Sequence, residues 1–167
     1  MYLMDPGVTS ANPEADGWAT ATAVLDPLYR FGLAQDRRYE AGARELFASA
    51  FTDDAVLDFR PAATKCGIGV PLMEGRSMIL DIIMDPDTRL DTSHVITNPR
   101  IDVRGDIAEV TALVEAQHLP TGDHSRHALL KNIYSARLVR DGDLWRMRRV
   151  YIDNLWFTGD PTVITGQ

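Results

Sequence analysis

The chain has 167 residues, of which 45% are hydrophobic, so it can bury one sizeable core and favours a single domain. A formal net charge of −7 predicts a surface that repels phosphate backbones, which argues against nucleic-acid binding. The single cysteine, Cys66, excludes an internal disulfide. Because the sequence has neither a signal-peptide pattern nor an apolar run of about 18 residues, we expect a cytoplasmic protein that does not bind membranes.

The chain is predicted to fold as one domain with two short flanking segments. Residues 1–16 are rich in Pro, Gly, Ser, Asn and Asp and predict a flexible N-terminal arm. The domain covers residues 17–158, and residues 159–167 form either a tail or a docking segment.

Helical patterns come first along the chain. Apolar residues at near-helical spacing predict a first helix that ends at Asp36, with a kink at Asp26-Pro27, where Asp could cap a restarting helix. A second helix is predicted over RRYEAGARELFASAF, and a third over EGRSMILDIIM, which ends before Asp85-Pro86. The intervening segment TKCGIGVPLM is predicted to be a loop.

Strand patterns dominate the rest of the chain. AVLDFRP predicts one strand, and two long strands are predicted on either side of the Arg104-Gly105-Asp106 turn. Two more long strands flank the turn RDGD. Helices followed by an antiparallel meander predict an α+β fold in which a curved sheet packs on helices.

Each strand of the first long pair carries a histidine. If Val103 pairs with Ile107 across the turn, His94 lies opposite Ala116 and His118 is its diagonal neighbour. That face would be small and apolar with two imidazoles near one end, which is the composition of a pocket wall. The residues predicted on it are His94, Ile96, Val110, Ala112, Val114, Ala116 and His118.

This assignment depends on the register of the strands. A shift of one residue would place the two histidines on opposite faces. The apolar odd positions Ile101, Val103 and Ile107 also indicate a bulge near Pro99.

A histidine that acts as a general base needs a partner that accepts from Nδ1–H and stabilises the imidazolium. Asp36 is the candidate, because it ends the first helix and Gly32, one turn earlier, leaves space beside it. Spacing alone does not establish that Asp36 reaches His94. A solvent-exposed carboxylate at a helix end is the simpler interpretation.

No cofactor motif is found in the sequence, which has no G-x-G-x-x-G, no P-loop and no cysteine pair. We therefore expect no cofactor. A metal held by two histidines and a carboxylate is a minor alternative, since no ligand-spacing motif supports it. His124 and His127 lie in a polar loop and are predicted to be solvated.

Several segments together resemble one known family. They are LYRFGLAQDRRYEAGARELFASAFTDDAVLDF, the GR that opens the third helix, TSHVITNPRI and YSARLVRDGDLWRMRRVYI. In order and spacing they resemble the SnoaL-like family of the NTF2-like superfamily, near scytalone dehydratase and the lindane dehydrochlorinase type. The resemblance spans about residues 18–157 and implies a cone of strongly bent sheet and three helices around one deep pocket.

The resemblance also implies roles for individual residues. Asp36 and His94 match a His–Asp dyad of the family's dehydratases and dehydrochlorinases, and His118 resembles a second pocket histidine. Phe59 falls where the scytalone dehydratase kind has a tyrosine, a departure that puts that substrate in doubt. The remaining expected pocket residues are Tyr29, which could supply the lost hydroxyl, and Asn132, Tyr134 and Trp156.

Two functions follow as expectations. The first is a cofactor-free lyase or isomerase that removes a carbon-bound proton from a small hydrophobic cyclic or polyketide/steroid-like molecule. The second is a non-catalytic ligand-binding or assembly module, such as an oxygenase small subunit. The resemblance also implies a homodimer or homotrimer.

Overall fold

The computed structural model describes residues 13–166, so most of the predicted N-terminal arm lies outside the described residues. The helices are α1 (Pro13–Asp36), α2 (Ala43–Ser49), α3 (Arg60–Cys66) and α4 (Arg76–Ile83), and a 3-10 helix covers Pro161–Thr165. The strands are β1 (Phe51–Asp58), β2 (Met73–Glu74), β3 (Leu90–Arg104), β4 (Ile107–Pro120), β5 (Ala128–Asp141) and β6 (Leu144–Gly159).

The predicted α+β class is confirmed. The six strands form one curved, open sheet in the order β2-β1-β6-β5-β4-β3, against which the helices pack. The long strands pair antiparallel as expected, but β1 runs parallel to β6. Within the described residues, no helix is long and apolar enough to span a membrane.

Helix α1 passes through Pro27 as a single element and does not restart there. Asp26 does not act as a cap, because its carboxylate accepts a hydrogen bond from Arg30 Nε one turn later, at 2.7 Å. Arg30 also donates to the carbonyl oxygens of Ser49 and Trp145, which ties the helix to the sheet. Tertiary contacts therefore hold α1 together where the local sequence favours a break.

The short helices differ from the prediction. The second predicted helix is shorter than expected, because Gly42 adopts a φ of 84° and α2 begins only at Ala43. Part of the predicted loop after β1 instead belongs to α3, a helix that was not predicted. It has Pro61 in its first turn and Gly67 as a left-handed C-cap. The count of three helices in the predicted fold was therefore wrong.

A β-bulge sets the register of β3 and β4. The turn pairs Arg104 with Ile107, so the assumed pairing of Val103 with Ile107 was wrong. One extra residue of β3 is absorbed between Thr97 and Arg100, where Asn98 has a φ of 52°. His94 consequently lies opposite Ala116, as expected.

The C-terminal segment docks onto the domain. Val163 of the 3-10 helix is 1% exposed and packs with Cys66, Leu90, Ala128 and Leu130 in a second apolar cluster. Of the two alternatives, a tail or a docking segment, the structure therefore supports the docking segment. This cluster closes one end of the curved sheet.

We predict that Gly159→Ala destabilises the protein. Gly159 has a φ of 85°, and an added Cβ would lie 2.0 Å from the carbonyl oxygen of His127. Overlap with backbone in a packed region costs about 1–3 kcal/mol of unfolding free energy. Urea denaturation measures this loss.

Gly122→Ala is the matched control. Gly122 has a φ of 89° but no atom within 4 Å of an added Cβ. It therefore incurs the left-handed backbone strain of about 1–2 kcal/mol without the overlap. Equal losses in the two variants would contradict the packing argument.

Candidate functional site

The end of α1 meets the middle of β3 through Asp36. Asp36 Oδ1 lies 2.6 Å from His94 Nδ1 and accepts from Thr92 Oγ1 at 2.9 Å. The other carboxylate oxygen accepts from the His94 backbone N–H at 2.9 Å. Thr92 and His94 lie two residues apart, on one face of the strand, so a single carboxylate can hold both.

The contacts of Asp36 determine its ionisation. Partial burial alone would raise its pKa, but the hydrogen bonds and charge of His94, with the Thr92 hydroxyl, lower the pKa below its ordinary value. An ionised Asp36 accepts from Nδ1–H of His94. In the tautomer that carries its proton on Nδ1, Nε2 is the ring nitrogen that can accept a proton.

Close packing fixes the His94 ring. A Cβ added at Gly32 would lie 3.0 Å from His94 Cβ, which is closer than ordinary van der Waals contact, so a larger residue would have to displace His94 or move α1 away from β3. Phe31 meets the imidazole edge-on with ring centroids 6.4 Å apart. The His94 side chain is 2% exposed.

A cavity of about 250 Å³ lies between the concave face of the sheet and the helices. Its wall is mostly apolar, with polar side chains supplied by the end of α1 and the turn after it, by β3–β5, by the segment before β3 and by the C-terminal 3-10 helix. The polar residues that line it are Gln35, Arg38, Thr88, Thr92, His94, His118, Asn132, Tyr134 and Thr165. Of the described lining residues, none is Asp or Glu.

Two titratable cavity residues are neutral at ordinary pH. Burial, with the charge of His94 as a second cause, lowers the pKa of His118 to about 3. Burial and the charge of Asp36 raise the pKa of Tyr134. His118 lies edge-on to His94 with ring centroids 6.0 Å apart, and its buried Nδ1 has no hydrogen-bond partner among the described residues.

Asn132 is oriented by a second asparagine. Its Oδ1 accepts from Nδ2 of Asn154, the residue opposite on β6, at 2.9 Å, and both residues are 2% exposed. Within the described part of the chain, Asn132 Nδ2 makes no hydrogen bond. Asn132 therefore presents an oriented donor at the cavity wall.

The structure brings together Asp36, His94, His118, Asn132 and Tyr134, and Phe59 also lines the cavity. The prediction that Tyr29 and Trp156 line the pocket was wrong.

Tyr29 lies on the outer side of α1 and is 44% exposed. Trp156 would point inward with Asn154 by simple alternation. A bulge between the Lys131–Trp156 and Asn132–Asn154 pairs instead turns it to the outer face, where it is 49% exposed.

Five polar lining residues were missed from the sequence: Gln35, Arg38, Thr88, Thr92 and Thr165. Thr92 had a usable signal, because it shares the strand face of His94. Gln35 also had a usable signal, because it lies in α1 one turn after the apolar Phe31. Arg38 lies in the turn after α1, which gives no periodicity from which the direction of its side chain could be predicted. No group of three or more His, Cys, Asp or Glu side chains within residues 13–166 is arranged as metal ligands.

A family model and a curated relative each match most of the chain. The model of the SnoaL-like domain matches residues 18–151. A terrestric acid biosynthesis cluster protein E from Penicillium crustosum is 31% identical over 148 residues, which cover 84% of this chain and 86% of the relative.

Solved structures match with low sequence identity. A candidate scytalone dehydratase from Novosphingobium aromaticivorans is 19% identical with a TM-score of 0.72, and covers 87% of this chain and 91% of its own. A type 2 hexachlorocyclohexane dehydrochlorinase is 20% identical with a TM-score of 0.69, over 87% and 92% of the two chains.

The curved sheet, its helices and these structural neighbours define an NTF2-like fold. The chain belongs to the SnoaL-like family.

We predict that His118 makes the native protein acid-sensitive. The unfolded chain binds a proton at His118 near pH 6.5, whereas the folded protein does so only near pH 3. Between these values the unfolded state holds more protons than the folded state. The free energy of unfolding therefore decreases as the pH is lowered, by up to about 1.4 kcal/mol per pH unit. Urea denaturation between pH 7 and pH 4.5 measures the slope.

The variant His118→Gln should show a shallower slope over this range. His124→Gln, at an exposed loop position, should keep the native slope. Parallel curves for the native protein and His118→Gln would contradict the prediction.

Proposed function

We propose that the protein is a cofactor-free lyase or isomerase that removes a carbon-bound proton with a His94–Asp36 dyad. The observation that carries the proposal is the 2.6 Å contact between His94 Nδ1 and a carboxylate of lowered pKa, beside a largely apolar cavity. In this arrangement Nε2 is the nitrogen available to a substrate. A cavity histidine so oriented meets the geometric requirement for a general base.

The proposed reaction begins when His94 Nε2 takes a proton from carbon. Asp36 stays ionised and stabilises the imidazolium that forms. The electron pair left on carbon either expels a leaving group, as in a dehydratase, or is protonated again at another position, as in an isomerase. When the deprotonated carbon lies next to a carbonyl group, negative charge develops on the carbonyl oxygen, and nearby hydrogen-bond donors stabilise it.

Neutral donors surround the cavity. Tyr134 is held protonated by its raised pKa, and Asn132 offers an Nδ2 donor. His118 is also neutral and lies next to His94. Because Tyr134 and Asn132 keep their protons at ordinary pH, they can donate hydrogen bonds to a developing oxyanion.

The volume and the lining of the cavity indicate the class of substrate. Its volume of about 250 Å³ is below the roughly 300–1,000 Å³ of drug-sized pockets, and its wall is mostly apolar. A small cyclic or polyketide-like molecule fits these dimensions. The likeness to a biosynthesis-cluster protein, and to a candidate dehydratase and a dehydrochlorinase, supports this class of reaction.

The second candidate is a ligand-binding or assembly module. The observation that favours it is the apolar outer face of the sheet, where Tyr151, Leu155 and Trp156 are each about half exposed. The same face suits the homodimer or homotrimer that the sequence predicts. Assembly through that face is compatible with catalysis in the cavity.

The proposed base can be tested with 5-nitrobenzisoxazole. A base removes its carbon-bound proton, the N–O bond breaks, and the released phenolate is followed by absorbance. We expect the native protein to accelerate this opening. General base catalysis contributes about 10²–10⁴-fold, so His94→Gln should lose most of the acceleration. Asp36→Asn should lose part of it, because the imidazole is no longer held.

A surface pair provides the control. His124 Nε2 lies 2.7 Å from Asp91 on the exposed loop, so His124→Gln also removes a histidine bound to a carboxylate. This variant should react as the native protein does. If the native protein and His94→Gln open the probe at the same rate, the proposed base is wrong.

A further inference from the structure

Arg38 is a charged residue in the wall of the cavity. It lies in the turn immediately after α1, two residues beyond Asp36. Among the described residues that line the cavity, it alone carries a permanent charge. The mechanism proposed above makes no use of it.

The guanidinium of Arg38 is only partly engaged. Nη2 donates to the carbonyl oxygens of Ile83 and Asp85, at 2.9 and 3.3 Å. Nε and Nη1 donate to no residue in the described part of the chain, and no carboxylate there lies within ion-pair distance. Asp85 attracts Arg38 only at longer range, since its carboxylate accepts from Asp87 N–H and from Thr88.

Neighbouring arginines are paired with acids. Arg44 Nη2 lies 3.0 Å from Asp81, and Arg37 lies 3.8 Å from Glu40. Arg38 is more buried than Arg37, and burial lowers its pKa. A half-buried charge without a counter-ion is costly, because desolvation is offset only by carbonyl dipoles.

The charge of Arg38 reaches the catalytic part of the cavity. It is one of the causes that lower the pKa of His118, after burial and His94. Asp36, two residues before Arg38, is already occupied by His94 and Thr92. The cavity therefore has a positive site with unused hydrogen-bond donors.

We propose that Arg38 binds a carboxylate of the substrate, so that the protein acts on small ring compounds that carry an acid group. A guanidinium with free Nε and Nη1 donors can hold a carboxylate through two parallel hydrogen bonds. This anchor would place the carbon skeleton of the molecule against the apolar wall. The inference deepens the proposed function and rests on it for the reaction, but the binding preference stands on Arg38 itself.

A matched pair of probes tests the preference. 2-Naphthoate and 2-naphthamide have nearly the same shape and differ in charge. Calorimetric titration at pH 7.5 and low salt gives the affinity of each. A charge-assisted hydrogen bond to a charged group corresponds to about tenfold or more in affinity. We expect the native protein to bind naphthoate at least about tenfold more tightly than the amide.

Two variants of Arg38 separate charge from shape. Arg38→Gln should lose the preference, and Arg38→Lys should retain part of it, because an ammonium keeps the charge but not the paired donors. The control is Arg44→Gln. Arg44 donates to the carbonyl of Met84 at 2.7 Å, so it supports the same segment from outside the cavity. This control should keep the full preference.

The outcomes distinguish the two proposals. Equal binding of the two probes by the native protein, or no binding of either at millimolar concentration, would overturn the carboxylate site. So would a preference that survives in Arg38→Gln or disappears in Arg44→Gln. None of these results bears on the opening of 5-nitrobenzisoxazole by His94, since that probe has no carboxylate.

Discussion

The site depends on one carboxylate that joins a helix end to a strand. Asp36 accepts from the ring of His94, from the backbone N–H of His94 and from Thr92. The backbone contact positions the strand, and the ring contact orients the imidazole on that strand. Because Gly32 lets the helix come this close, the same contacts set the distance between α1 and the sheet. The contacts of Asp36 therefore position α1 against the sheet and also orient the imidazole of the candidate site.

Burial separates the ionisation states in the cavity. Asp36 keeps its charge because donors surround it, whereas His118 and Tyr134 stay neutral because water is excluded from them. The cavity therefore holds groups that accept and donate protons without neutralising one another. Arg38 adds a fixed positive charge at the wall. This division of roles follows from position in the fold, since the residue types alone do not set it.

The sequence predicted the long strands because alternation and turn chemistry are local signals. The opposition of His94 and Ala116 was predicted correctly only because the bulge between Thr97 and Arg100 offsets the one-residue error in the pairing assumed at the turn. It did not predict α3, a short helix whose stability comes from packing Ala62, Ala63 and Cys66. It misplaced Trp156 because a single bulge reverses the face of every residue beyond it. The place of Arg38 in the cavity was also beyond local reasoning, because a turn has no period.

The bulge at Asn98 separates two halves of one hairpin. Beyond it, Ile101 packs against the core at an odd position, whereas before it His94 and Ile96 face inward at even ones. The turn and the cavity can therefore change independently. If the turn gained or lost one residue, the loss of the bulge or the addition of a second bulged residue could restore the register. His94 would then stay in place. Related chains with different turn lengths can thus keep the same histidine geometry through compensating changes about six residues from the turn.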